Sequence, residues 1–261
     1  MAWVTYKNTA VTTVVKYFKE QDYKYYQTKK FKWGTLAEYR SYENEVLRLS
    51  DHEEGTMDLV VPFIPVEGRP DVYTHPPIVT DRLSFIGNTF SDYIGEEPDR
   101  IRGIVSRTEL NAHIMCFSIG TYSKNHHKNM MYGKVNSDSS AYRGDPTLTM
   151  AAEIDLVKFQ RSLGFSVKRD QRIFGLPVIY GDRRIPIDTW EFGQQKNKIS
   201  FQRMLKAIFT KKPVFEAERE YRLIMCGINW TLPNNISQPI LFSSQKLASA
   251  VTNFYQVKDH G

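Results

Sequence analysis

The sequence predicts an α+β fold, a mixed or antiparallel β-sheet core flanked by helices. Two observations carry this reading. Short runs of β-branched and aromatic residues outnumber helical patterns, and the two kinds do not alternate along the chain as they would in a parallel α/β protein. The clearest helix, Lys198–Lys211, places Phe201, Met204, Leu205, Ile208 and Phe209 on one stripe and ends before Pro213.

Strands are expected at Met57–Pro65, Arg82–Ile86, Ile101–Ser106, His113–Ile119, Met150–Asp155, Gly164–Lys168, Pro177–Tyr180, Phe215–Cys226 and Pro239–Phe242. Further helices are expected at Thr9–Gln21, Thr35–Leu49 and Gln245–Gln256. Pro65–Pro77, Ser123–Asp145 and Pro233–Pro239 read as loops, because each is rich in Pro, Gly, Asn or Ser. None resembles an interdomain linker, so residues 1–261 are read as a single domain.

Composition bounds the function classes. Hydrophobic residues make up 41% and charged residues 25% of the 261, an ordinary globular balance that argues against disorder. No apolar run approaches the ~20 residues needed to cross a bilayer. The first twenty residues lack a secretion-signal pattern. Cys116 and Cys226 both sit in apolar runs, which fits a reducing, cytoplasmic setting better than a disulfide framework. The net charge of +6 is compatible with a phosphate-bearing partner.

Four segments are candidates for chemistry. In FEAEREYRLIMC, strand alternation would put Glu216, Glu218, Glu220 and Arg222 on one face. That face is either a solvated sheet edge or, since it runs into Leu223–Cys226, the polar half of a central strand facing a cleft. Paired carboxylates there could bind a hydroxyl, take a proton and stabilise a developing cation. Residues 23–40 interleave Lys24, Lys29, Lys30, Lys32 and Arg40 with six aromatic rings. They read as a phosphate-and-base grip or as an amphipathic hairpin. Ala112–Gly120 reads as a buried strand ending near a hydroxyl, Ser118. Asp51–Gly55 groups acid and imidazole, but neighbouring loop residues cannot all face one ion. The remaining histidines lack zinc spacing, and His126–His127 is placed in an exposed loop, so no metal is expected.

Taken in order, Tyr23–Tyr26, Phe31–Arg40, Asp51–Gly55, Cys116–Ser118 and Lys212–Arg222 resemble the motif set of a diverged bacterial and phage group. The set is similar to the ADP-ribosyltransferase plan: an early basic residue, a serine-bearing central strand and a late E-x-E strand. The resemblance implies a split sheet, NAD as cofactor, Glu220 on the nicotinamide ribose and Glu218 orienting or activating the acceptor. It implies cofactor contacts from Ser118 and Arg222. For the early basic position it leaves Lys32, with Tyr26 and Arg40 as rivals. By the same resemblance the acceptor is nucleic acid, RNA ahead of DNA, or protein. The setting is a phage-defence toxin with an antitoxin partner. The alternatives are a non-catalytic nucleic-acid-binding protein and a metal-dependent nuclease built on Glu218, Glu220 and Asp51.

Overall fold

The computed structural model describes residues 11–41, 55–62, 64–74, 89–93, 103–133, 144–181, 184–186, 201–227, 236 and 238–257. The first half of the chain contributes β1 (Thr13–Phe18), α1 (Tyr23–Gln27), β2 (Lys30–Thr35), α2 (Leu36–Ser41), β3 (Thr56–Pro62), β4 (Ile64–Val66), β5 (Arg69–Thr74) and β6 (Thr89–Tyr93). Then come β7 (Gly103–Glu109), β8 (His113–Ile119), α3 (Lys124–Tyr132), β9 (Met150–Asp155), α4 (Leu156–Gly164), β10 (Gln171–Pro177), β11 (Ile179–Tyr180) and β12 (Arg184–Pro186). The remainder is α5 (Phe201–Phe209), β13 (Thr210–Lys211), a 3-10 turn at Pro213–Glu218, β14 (Glu220–Gly227), β15 (Ile240–Ser243), α6 (Gln245–Ala248) and β16 (Val251–Gln256). Helices and strands are mixed and the strand pairing is mostly antiparallel, as α+β requires.

Contacts divide the chain into two compact units: Met1–Glu54, Asn111–Gly181 and Lys211–Gly261 form one, Gly55–Leu110 and Asp182–Thr210 the other. In the first unit the strand order is β10-β14-β8-β1-β9-β16, with β2 against β8 and β15 against β2, and these pairings are antiparallel. One face of this sheet presents Val14, Phe18, Met115, Phe117, Ala152, Ile154, Leu223 and Met225 to a single core. Helix α4 closes it with Leu156, Phe159 and Leu163, three residues on one helical stripe. Asp155 caps that helix by accepting from the Lys158 amide at 2.9 Å. Phe159 stands edge-on to Phe31 and Phe117, with ring centroids 5.2 and 5.8 Å away.

The second unit is a four-stranded sheet ordered β12-β3-β7-β6. Strands β3 and β7 pair from Thr56–Glu109 to Pro62–Gly103, and β12 joins β3 in parallel. The β4–β5 hairpin turns at Glu67–Gly68, where φ of +77° suits glycine. Helix α5 lies beside β3 with Ala207, Ile208 and Phe209 buried.

Several sequence expectations need correcting. Thr9–Gln21 contains strand β1, because the β-branched run Thr12–Val15 has little helical preference and finds strand partners on both sides. Gln245–Gln256 is a single capped turn followed by edge strand β16. Gly164–Lys168 closes α4 and continues without strand structure. Ser123–Asp145 holds α3, whose Ser123 side chain caps the His126 amide and whose His127 is fully buried. Helix α5 ends at Phe209, short of the expected Lys211, and gives way to strand at Thr210, while residues 198–200 lie outside the described residues. Helix α2 begins the Thr35–Leu49 segment; the rest of it, Arg82–Ile86 and Asp51–Glu54 lie outside the described residues.

Phe159→Ala removes a fully buried ring from between two others, so urea unfolding should show a loss of about 3–5 kcal/mol.

Candidate active site in the split of the sheet

The site begins with an interruption of strand pairing. Along one edge β8 pairs with β14 from His113–Met225 to Ser118–Glu220. Its other edge is shared: β1 takes Ser118 and Ile119, while β2 takes His113 and Ile114. Between them, among the described residues, no strand pairs with Met115–Phe117 on that edge, so its backbone groups need other partners. Lys16 of β1 donates its ammonium to the Cys116 carbonyl at 2.8 Å. Around this split lies a cleft of about 330 Å³, lined by Lys16, Lys32, Ser118, Lys211, Glu218 and Glu220 among others. Gly34 of β2 also lines it; a Cβ there would stand 2.8 Å from the Tyr39 ring, so only glycine lets that ring close on the strand.

Glu220 sits opposite Ser118 across the β14–β8 ladder, and Arg222 opposite Cys116. Residues two apart on a strand share a face, so the guanidinium reaches back along β14 to the carboxylate. Nε lies 2.6 Å from Oε1 and Nη2 3.0 Å from Oε2, a two-point contact with Arg222 wholly buried. Strand β14 is buried from Glu220 to Cys226 between β10 and β8, which excludes the solvated edge. The Glu220 amide donates to the Tyr180 hydroxyl at 2.7 Å.

Glu218 reaches the same place by a different route. Pro213–Glu218 is a 3-10 turn, so the strand alternation expected from Phe215 starts only at Glu220. Arg219 ends the turn in the left-handed region at φ +49°, and its carbonyl accepts from the Ile119 amide at 2.8 Å. This reversal leaves Glu218 buried beside Glu220. Lys211 bridges the two, its Nζ 2.6 Å from Glu218 Oε2 and 3.3 Å from Glu220 Oε2, and rests on the Phe215 ring. The two carboxylates are thus balanced by two cations.

Electrostatics sort the groups. Burial pushes the Glu220 carboxyl upward, but Arg222, Lys211 and hydrogen bonds from Arg222 and the Cys116 thiol outweigh it and hold the group below the usual carboxylate range. Burial lowers the Lys16 ammonium, with Cys116 and Glu220 acting in the opposite sense. Cys226, on the other arm of β14, is pushed up to about 11 by burial and is a buried thiol without activation.

Of the expected site residues, Glu220, Glu218, Ser118, Lys32 and Tyr26 all line the cleft. Lys32 is half exposed at the rim and pairs with Glu38 at 2.5 Å. Tyr26 stacks on Phe18 and meets Phe31 edge-on, so it supports the wall as well as lining it. Arg222 was expected to touch a cofactor; it lies behind Glu220 and holds it in place. Arg40 belongs to α2, and its side chain lies outside the described residues. Sequence reasoning missed Lys16, hidden in a segment read as helix, and Lys211, read as the exit of one. A lone lysine in the β-branched run TVVKYF is the signal that could have found the first.

A metal centre is disfavoured by this arrangement, since Glu218 and Glu220 already face Lys211 and Arg222. Among the described residues no group of three or more metal-ligating side chains converges, and no helix is long and apolar enough to cross a membrane. No protein-family model matches the chain, and comparison with curated proteins and with solved structures finds no match.

Arg222→Met strands the buried Glu220 charge, and chemical denaturation should register about 3–5 kcal/mol of lost stability. Because the folded-state pKa of Glu220 is depressed, its stabilisation is present at neutral pH and is lost as pH falls below the unfolded carboxylate value of about 4. Urea midpoints followed down through that range should drop steeply in the parent and less steeply in Glu220→Gln.

Proposed function

We propose that this chain is an NAD-dependent ADP-ribosyltransferase that modifies a macromolecular acceptor, RNA ahead of DNA or protein. The observation that carries the reading is Glu220: a buried carboxylate held ionised by Arg222, opposite Ser118, at the wall of a cleft rich in lysine. Keeping a charge out of water without a task is costly, and such groups concentrate at functional sites. A non-catalytic nucleic-acid binder needs surface cations and has no use for this buried quartet.

The residues fit a dinucleotide. Lys16, Lys30 and Lys32 supply positive charge for a pyrophosphate, and Tyr25, Tyr26 and Tyr39 supply ring faces for a base or nicotinamide. The cleft volume is at the lower end for small-molecule sites, about 300–1,000 Å³. NAD supplies a glycosidic bond that breaks with its electron pair leaving on nicotinamide, while the acceptor's nucleophile bonds to the ribose carbon and gives up a proton. Glu220 would accept from a ribose hydroxyl and stabilise positive charge developing on the sugar. Its strong contacts are those to Arg222; the Lys211 contact at 3.3 Å and the Cys116 thiol are the weaker ones, and a hydroxyl can displace either. Glu218, buried at the end of the 3-10 turn, would orient the acceptor and take its proton. Ser118 would position the sugar from the facing strand. Lys16 would fill the early basic role for which the resemblance leaves Lys32, with Tyr26 and Arg40 as rivals. The toxin setting and an antitoxin partner rest on the sequence resemblance alone.

Incubation with adenylate-labelled NAD and total cellular RNA, DNA and protein tests the reading. Label should enter one fraction and fall about 100-fold or more in Glu220→Gln. Lys16→Met should weaken NAD binding about tenfold and, because it orphans the Cys116 carbonyl, lower unfolding stability by about 1–3 kcal/mol. No label in any fraction, with no NAD consumed, defeats the proposal.

A further inference from the structure

Helix α4 buries one side in the core and leaves the other to water, and the exposed side is basic. Leu156, Phe159 and Leu163 point inward. Val157, Lys158, Arg161 and Phe165 are exposed and span an arc of about 100° on the opposite side, at 3.6 residues per turn. Phe165 closes the helix in right-handed helical geometry, and its residue surface is 64% exposed. Lys246 of α6 is fixed against this arc. Its carbonyl accepts from the Ser162 hydroxyl at 3.1 Å, and its ammonium lies 4.7 Å from the Phe165 ring centroid.

The charge on this surface is left uncompensated. Just past the helix the chain adds Lys168, exposed on a turn whose carbonyl accepts from the Gln171 amide at 3.0 Å. Among the described residues no ion pair engages Lys158, Arg161, Lys168 or Lys246. The acids between residues 155 and 172 are Asp155, engaged in capping α4, and Asp170, which follows Arg169. Arg161 in the last turn also suits the helix dipole, but that accounts for neither the open ring nor the cations around it. Tyr221 and Leu223 of β14 face the core that α4 closes, so Glu220 and Arg222 project from the other side of the sheet. The outer face of α4 is therefore a surface apart from the Glu220 wall.

We infer that the outer face of α4 binds single-stranded nucleic acid, with Phe165 as a stacking ring and Lys158, Arg161, Lys168 and Lys246 on the phosphates. An open ring set among mobile cations suits unpaired bases on a charged backbone, since stacking and phosphate contact are then made together. A duplex keeps its base faces covered and can use the cations alone. An anionic membrane surface fits less well, because the apolar stripe that an interfacial helix would insert is already committed to the core. The binding does not depend on the transferase reading; within that reading the surface would tether an RNA acceptor.

The test is fluorescence anisotropy with a labelled single-stranded RNA of about 12 nucleotides, alongside thermal unfolding and NAD consumption. Phe165→Ala should weaken RNA binding about tenfold, and Phe165→Trp should restore it. Lys158→Gln combined with Arg161→Gln should lower the salt slope by about 1.4, the value for two phosphate contacts on a single strand. All these side chains are exposed, so the unfolding midpoint should stay where it is. Unchanged RNA affinity in Phe165→Ala, or an unchanged slope in the double variant, overturns the inference. So does equal affinity for a duplex of the same sequence. Vesicles of phosphatidylserine and phosphatidylcholine that bind the parent but not Phe165→Ala, with RNA affinity unchanged, would assign the face to a membrane instead. RNA binding that behaves as expected in a protein that consumes no NAD keeps this surface and sinks the transferase reading. Label transfer by variants whose RNA affinity has not moved does the reverse.

Discussion

The contact between Arg222 and Glu220 is the constraint on which the rest of the cleft depends. Both groups project from a strand buried on its whole length, where an unpaired charge would be prohibitive. The guanidinium keeps the carboxylate anionic despite burial, and it fixes the direction in which the carboxylate's remaining capacity points. Lys211 can then lie beside Glu220 and draw in Glu218, whose approach requires the reversal at Arg219. Four charges that would each be untenable alone form a neutral, rigid wall. The left-handed backbone at Arg219 is sparsely populated for a non-glycine residue, and strain of this kind concentrates at working sites.

The second constraint is topological. Strands β1 and β2 compete for one edge of β8 and each takes one end of it. The backbone left between them needs a partner, and the Lys16 ammonium supplies one while remaining at the cleft wall. A side chain that completes a hydrogen-bond ladder is held more firmly than one extended into water. This gives the opening a pre-positioned cation close to Glu220 without letting the two neutralise each other fully, since Glu220 is already engaged by Arg222.

The aromatic–basic segment after β1 divides between core and cleft. Phe31 and Trp33 point into the core, and Tyr26 packs on Phe18, whereas Lys30 and Lys32 line the cleft. The alternation of β2 separates these duties, one face for packing and the other for charge.

By itself the sequence determined the local chemistry. The α+β class, strands β8 and β9 to the residue, Glu220 and Arg222 on one strand face and Ser118 on a buried strand were legible, because they follow from composition and short-range alternation, whereas Glu218 arrives by a 3-10 turn that alternation did not indicate. The helix expectations at Thr9–Gln21 and Gln245–Gln256 failed where strand partners lie far away in sequence: β1 pairs with residues about Ser118 and Met150–Asp155, and β16 with β9. Propensity is a weak prior that such pairing overrides. Only the tertiary structure decided that Lys211 lies beside Glu220, that Lys16 lines the same cleft, and that Arg222 braces the carboxylate from behind. Each of these depends on which strands share the edges of β8, a choice made by long-range hydrogen bonding that no local pattern encodes.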